Sequence, residues 1–133
     1  DATAALEVDP VAAAWLGDSF GFAYSVLEDL RADRESLDAS RVQLWPEHFD
    51  AAFECLPEAS GRRAGYGASP GDAAHPDPYL YVAPWTFDRV PESAVWNADA
   101  FRGAVLPFDA LGSTDQRGTA LAWLRQCRDV LSR

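Results

Sequence analysis

The stretch Ser69 to Trp85, SPGDAAHPDPYLYVAPW, limits the folds open to this chain more than any other. Pro70-Gly71-Asp72 and Pro76-Asp77-Pro78 are turn formers, because proline fixes φ, glycine reaches positive φ and aspartate bonds its own backbone. The residues that follow alternate. Tyr79, Tyr81, Ala83 and Trp85 project to one side of an extended chain, Leu80 and Val82 to the other. Pro84 has no N–H to give a neighbour, so the strand ends there or lies at an edge. Such a strand needs a core against its aliphatic side and leaves an aromatic, polar-tipped side to solvent or a ligand.

A core of that kind is supplied from both ends of the chain. Asp1 to Val8 reads as a frayed leader; Asp9-Pro10 then marks a helix start, running to about Asp33, with Asp9 as cap and Pro10 at the first position. Ala12, Leu16, Phe20, Ala23, Leu27 and Leu30 recur at helical spacing, and Trp15, Phe22 and Val26 widen the stripe. Gly17 and Gly21 each cost about 1 kcal/mol relative to Ala in a helix. They either admit another backbone or break the helix, with Asp18 capping a restart. Ser113-Thr114-Asp115-Gln116 reads as a capping box before a second helix. Its stripe is Ala120, Trp123, Leu124, Cys127, Val130 and Leu131, with Arg117, Arg125 and Arg128 outside.

Between the helices, Val42 to Trp45 suggests a short strand. Glu47 to Leu56 alternates, with Phe49, Ala51, Phe53 and Cys55 on one side and His48, Asp50, Ala52 and Glu54 on the other. A helix is the competing reading there. Pro57 to Pro78 reads as a long irregular segment in which Tyr66 heads at most a short strand. Brief strands are expected at Ser93 to Trp96 and Phe101 to Phe108, the latter bulged at Gly103.

The sum is an α+β fold: an antiparallel sheet of about four to five strands with the N-terminal and C-terminal helices on one face. If the central strands match in parity, His48, Asp50 and Glu54 emerge beside Tyr79, Tyr81 and Trp85 on the uncovered face. A one-residue slip would reverse this.

With 48 % hydrophobic and 24 % charged residues, the 133-residue chain fits a single globular domain, 1–133. No apolar run approaches the ~20 residues of a membrane span. A net charge of −10 repels phosphate backbones and disfavours nucleic acid. The basic residues are all arginine, and Lys, Ile and Met are absent, a bias expected of GC-rich coding or a halophile. The missing Met leads us to expect a processed chain or a fragment of a longer one. Cys55 and Cys127 are too few for a disulfide framework; buried free thiols in a reducing cytoplasm are expected, with a pair across the core as the alternative.

Five segments, LWPEHFDAAFECL (44–56), GRRAGYGASPGD (61–72), PDPYLYVAPW (76–85), AVLPFDAL (104–111) and the helix from Asp115, carry a resemblance. In order and pattern they resemble a bacterial family of uncharacterised proteins, a domain of unknown function. That family shows a Trp-x-x-x-Phe-Asp-Leu-Ala run, a Pro-Gly loop, a Tyr-rich strand and a Leu-Leu-Pro-Tyr-Asp segment. Ala51 departs from its Leu and Phe108 from its Tyr. The resemblance spans Asp9 to about Leu131 and implies longer members with a further N-terminal half. It carries over no catalytic residue.

Chemistry-bearing residues are few. His48, Asp50, Glu54 and His75 offer nitrogen and oxygen for a metal, without a motif such as HExxH, and a solvated polar face explains them equally; no metal or cofactor is expected. His48 and Asp50 also suit a base and its orienting carboxylate, with Ser69 or Tyr81 near by but no Gly-x-Ser-x-Gly elbow. The glycines from Gly65 to Gly71 lack the P-loop lysine and read as turn chemistry. Trp45, Glu54, Tyr79, Tyr81 and Trp85, with Trp96, either line a small-ligand pocket or fill core. The expected function is a cytoplasmic ligand-binding or protein-interaction module using the polar-aromatic sheet face. The alternative is a small hydrolase-like enzyme using His48 and Asp50, with His75 as a further candidate; the loop from Asp72 to Asp77 is expected to form the rim of any site. A small molecule, a second copy or a missing N-terminal half are the expected partners; nucleic acid and membrane are not.

Overall fold

Asp9 accepts hydrogen bonds from the backbone N–H groups of Val11 (2.8 Å) and Ala12 (3.4 Å), and Pro10 opens helix α1, Pro10–Ala32. A computed structural model describes residues 7–133 of the chain; most of the expected leader lies outside them. Helix α1 is continuous through Gly17 and Gly21, and a Cβ added at either glycine would meet nothing within 4 Å. The glycines therefore neither break the helix nor admit a neighbouring backbone. What holds the helix is its second half, where Ala23, Val26, Leu27 and Leu30 are buried at i, i+3, i+4 and i+7. The first half carries exposed Val11 and Trp15. The stripe expected from Ala12 onward is thus used only from Phe20 on.

Five antiparallel strands follow as a meander, with β1 Gln43–Trp45, β2 Asp50–Cys55, β3 Ala64–Ser69, β4 Tyr79–Pro84 and β5 Ala104–Pro107 adjacent in that order. Helix α2, Gln116–Leu131, closes the chain and packs with α1 on the same side of the sheet. Residues directly opposite in register share a face. Phe53, Tyr66, Val82 and Ala104 form one such row, and Ala51, Ala68, Leu80 and Leu106 the next. Both rows meet the helices. The row Ala52, Gly67, Tyr81 and Val105 faces the other way. Phe53 and Tyr81 therefore stand on opposite faces, as the alternation requires.

Several expectations are corrected. The segment read as irregular holds β3, the middle strand of the sheet. Gly65 and Gly67 alternate with Ala64, Tyr66 and Ala68, and Gly67 lacks a Cβ because the Tyr81 ring occupies that space. Phe49 lies in the β1–β2 turn at φ 55°, where its ring meets Phe20 edge-on at 5.5 Å. Ser93 to Trp96 forms turns, with no strand. The last strand starts only at Ala104, because Gly103 is pressed against the Val82 carbonyl and the Phe101 ring. The cap of α2 is Asp115, which accepts from Gly118 N–H at 3.0 Å, while the Gln116 side chain donates to the Gly112 carbonyl. The capping box does not form.

Of the arginines expected outside the stripe, Arg117 is exposed and Arg125 half-exposed, but Arg128 is buried. Arg128 is 3 % exposed and donates to Asp33 (2.7 Å), Ser36 (3.2 Å) and Asp129 (3.0 Å). Arg125 forks onto Asp33 at 2.7 and 2.8 Å, and Arg117 pairs with Asp29. These pairs tie α2 to the C-terminal end of α1. Cys55 and Cys127 are free and buried, with burial pushing their thiols up to about 11 and about 12. Among the described residues no helix is long and apolar enough to cross a membrane.

Candidate functional site

The face turned away from the helices carries the site, and Gly67 determines its shape. Tyr81 pairs with Gly67, and Gly67 with Ala52, so the bare glycine leaves a lane across β3. The Tyr81 ring lies in that lane and its hydroxyl donates to Asp50 Oδ2 on β2. A Cβ at Gly67 would stand 2.4 Å from the ring.

Asp50 sits at the start of β2, directly after the turn that carries Glu47 and His48. It is 6 % exposed, and its Oδ1 is buried without a hydrogen-bond partner among the described residues. Leaving a buried acceptor unpaired costs about 1–3 kcal/mol, more for a charged group. The protein carries that cost at one atom of the face.

A second phenol repeats the arrangement. Tyr79 donates to Asp72 Oδ2 at 2.5 Å, and its ring centroid is 6.2 Å from that of Tyr81. Asp72 also organises the loop between β3 and β4: its Oδ1 accepts from the N–H groups of Ala74 (2.7 Å) and His75 (2.9 Å). Gly71 adopts φ 114° there, with the Pro76 carbonyl filling the space of a side chain. Burial first, and then the Asp50 carboxylate, raises Tyr81 far above the usual phenol range. Tyr79 is pushed up to about 12 by burial and by its bond to Asp72. The Tyr79 hydroxyl and the backbone N–H of His75 in turn hold Asp72 below the usual carboxylate range. At neutral pH both phenols stay protonated, acting as donors rather than nucleophiles or bases.

These residues line a concavity of about 470 Å³, with Glu47 and His48 on one rim, Ser69 and Asp72 on another, and Phe101 as a wall. The Phe101 ring meets Tyr81 edge-on at 6.4 Å. A second concavity, about 370 Å³, adjoins it through His48, Asp50, Tyr81 and Ala83, and extends to Trp45, Glu54 and Trp85. There Arg63 lies 5.4 Å over the Trp85 ring and donates to Glu54 at 3.4 Å. A larger cavity of about 590 Å³ lies elsewhere, around Leu37, Leu56 and Pro57. Its lining pairs Arg34 with Glu35 and adds Arg62, without the buried unpaired carboxylate oxygen and clustered phenols of the sheet face.

Of the residues singled out from sequence, the structure brings together His48, Asp50, Tyr79 and Tyr81 in the first concavity, and Trp45, Glu54 and Trp85 in the second. His75 stands beside the site, its ring 5.0 Å from Tyr79. Among the described residues, no hydrogen bond joins His48 to Asp50, and no three His, Cys, Asp or Glu residues are grouped to hold a metal. Sequence reasoning missed Glu47, Phe101 and the role of Gly67; of the Asp72 to Asp77 loop expected at the rim, Asp72 lines the first concavity. The alternation of glycine with Ala and Tyr from Ala64 to Ala68 was the available signal for Gly67.

Compared with family models, with curated proteins and with solved structures, the chain matches none.

Proposed function

We propose that the polar-aromatic sheet face binds a small ligand that donates a hydrogen bond to Asp50. The supporting observation is Asp50 Oδ1, an unpaired buried acceptor where two concavities meet. Buried polar groups are nearly always satisfied, so a persistent exception on a concave face favours a ligand as the missing partner. The larger concavity falls within the size range of small-molecule sites, about 300–1,000 Å³. Free, buried thiols support a reducing compartment, and we read the chain as cytoplasmic.

The hydrolase reading draws less support. Its dyad needs His48 hydrogen-bonded to Asp50, and among the described residues Asp50 is bonded through Oδ2 to Tyr81 and not to His48. Amide NMR spectra recorded with a set of small sugars, amines and carboxylates test the binding reading. It expects saturable shifts confined to residues near Asp50, Tyr79 and Tyr81. Shifts elsewhere only, or none with any compound, would contradict it.

A further inference from the structure

We infer that the ligand of this face is an organic cation bearing N–H donors, a guanidinium or alkylammonium group. This inference rests on the binding reading above and assigns it a chemical class. Asp50, Glu47 and Asp72 place three carboxylates around one concavity, and Tyr79, Tyr81 and Phe101 add aromatic rings. No arginine lines it. Both phenol hydrogens are already committed, Tyr81 to Asp50 and Tyr79 to Asp72. The His48 imidazole and the Ser69 hydroxyl are the donors left in the lining against three carboxylates, so acceptors outnumber free donors.

That imbalance selects among ligands. A sugar hydroxyl both donates and accepts, so a wall in which carboxylates outnumber free donors serves its accepting half poorly, and an anion is repelled by the carboxylates. A guanidinium or ammonium only donates, matches the unpaired Asp50 Oδ1, and is attracted to aromatic faces. The same sheet face already shows this pairing within the chain. Arg63 lies over Trp85 while donating to Glu54, so carboxylate and aromatic ring together hold a guanidinium next door.

The test titrates the full chain, by amide NMR, with agmatine, with arginine blocked at both ends, and with glucose. Asp50→Asn and Glu58→Gln each remove one negative charge, but Glu58 is exposed and outside the site. We expect agmatine or blocked arginine to shift the amides around Asp50, Tyr79 and Tyr81 saturably, with Glu58→Gln behaving as the parent. Asp50→Asn should weaken the interaction about tenfold or more, as loss of a charge-assisted hydrogen bond implies. Binding of agmatine alone would identify a free amine as the source, and equal or tighter binding of blocked arginine a peptide side chain. Glucose shifting these amides while neither cation does would overturn the cation inference and leave the binding reading standing. No shift there with any of the three would overturn both. Equal weakening in Asp50→Asn and Glu58→Gln would reduce the effect to general attraction by an acidic protein and also overturn the inference. Should Asp50→Asn fail to fold, Glu47→Gln on the exposed rim serves instead, with about twofold weakening expected and unchanged affinity contradicting the proposal.

Discussion

The Tyr81 hydroxyl reaches Asp50 across an intervening strand, passing over Gly67, whose missing side chain leaves the space. One side-chain bond thus joins β4 to β2 over β3, on the face opposite the core. Its dependence on both ends and on the glycine beneath makes it separable by mutation.

Removing the donor leaves Asp50 without a protein partner at either oxygen. Tyr81→Phe should therefore destabilise the fold by about 1–3 kcal/mol in urea denaturation. Combining it with Asp50→Asn should recover part of that loss, because the orphaned charge is gone. Additive effects in the double variant would mean that the two residues are not coupled.

The two kinds of glycine should respond in opposite directions. Gly67→Ala must displace the Tyr81 ring and should cost about 1–3 kcal/mol. Gly17→Ala, in open space within α1, should stabilise by about 0.5–1 kcal/mol by reducing the freedom of the unfolded chain. Thermal unfolding of the two single variants distinguishes them.

How much of this was legible beforehand follows from where periodicity is strong. The alternation from Tyr79 to Ala83 and from Asp50 to Cys55 placed both strands and their faces, because every second residue changed character. Helix ends announced by Asp9-Pro10 were equally readable. Strand β3 was not, since Gly65 and Gly67 look like turn residues until the ring that lies over Gly67 is known. Arg128 was misread because a charged residue on a helix is ordinarily solvated, and its partner Asp33 is remote in sequence. The site was legible in part: the Asp72 loop before the Tyr79 strand was expected at its rim, whereas Phe101 reaches it through a loop that carries no repeating pattern.

Stability should fall on the acid side through Asp33, held at about 2 chiefly by the hydrogen bond from Arg125, with Arg128 assisting against the effect of burial. A carboxylate whose folded pKa is depressed contributes above its unfolded value and loses that contribution as pH drops. The loss here should run from about pH 4 down to about pH 2, and amount to roughly 1–2 kcal/mol after allowance for solvent screening. Asp33→Asn should flatten that limb of the stability curve. An unchanged limb would show that the clamp between the helices is not what acid releases.

On the alkaline side the sign reverses. Tyr79 ionises at about 12 in the folded protein, above the ordinary phenol, so its contribution holds below about pH 10 and declines as pH rises toward 12. Phenolate absorbance titrated in the folded state should lose a late component in Tyr79→Phe. Loss of an ordinary component near pH 10 instead would place that phenol in solvent.

The most direct measurement of the binding account is the set of intermolecular NOEs between agmatine and the aromatic protons of the protein. The account predicts contacts from a cationic end of agmatine to the rings of Tyr79, Tyr81 and Phe101, which line the concavity at Asp50. Contacts confined to rings elsewhere, such as Trp15 on the bare half of α1, would contradict it.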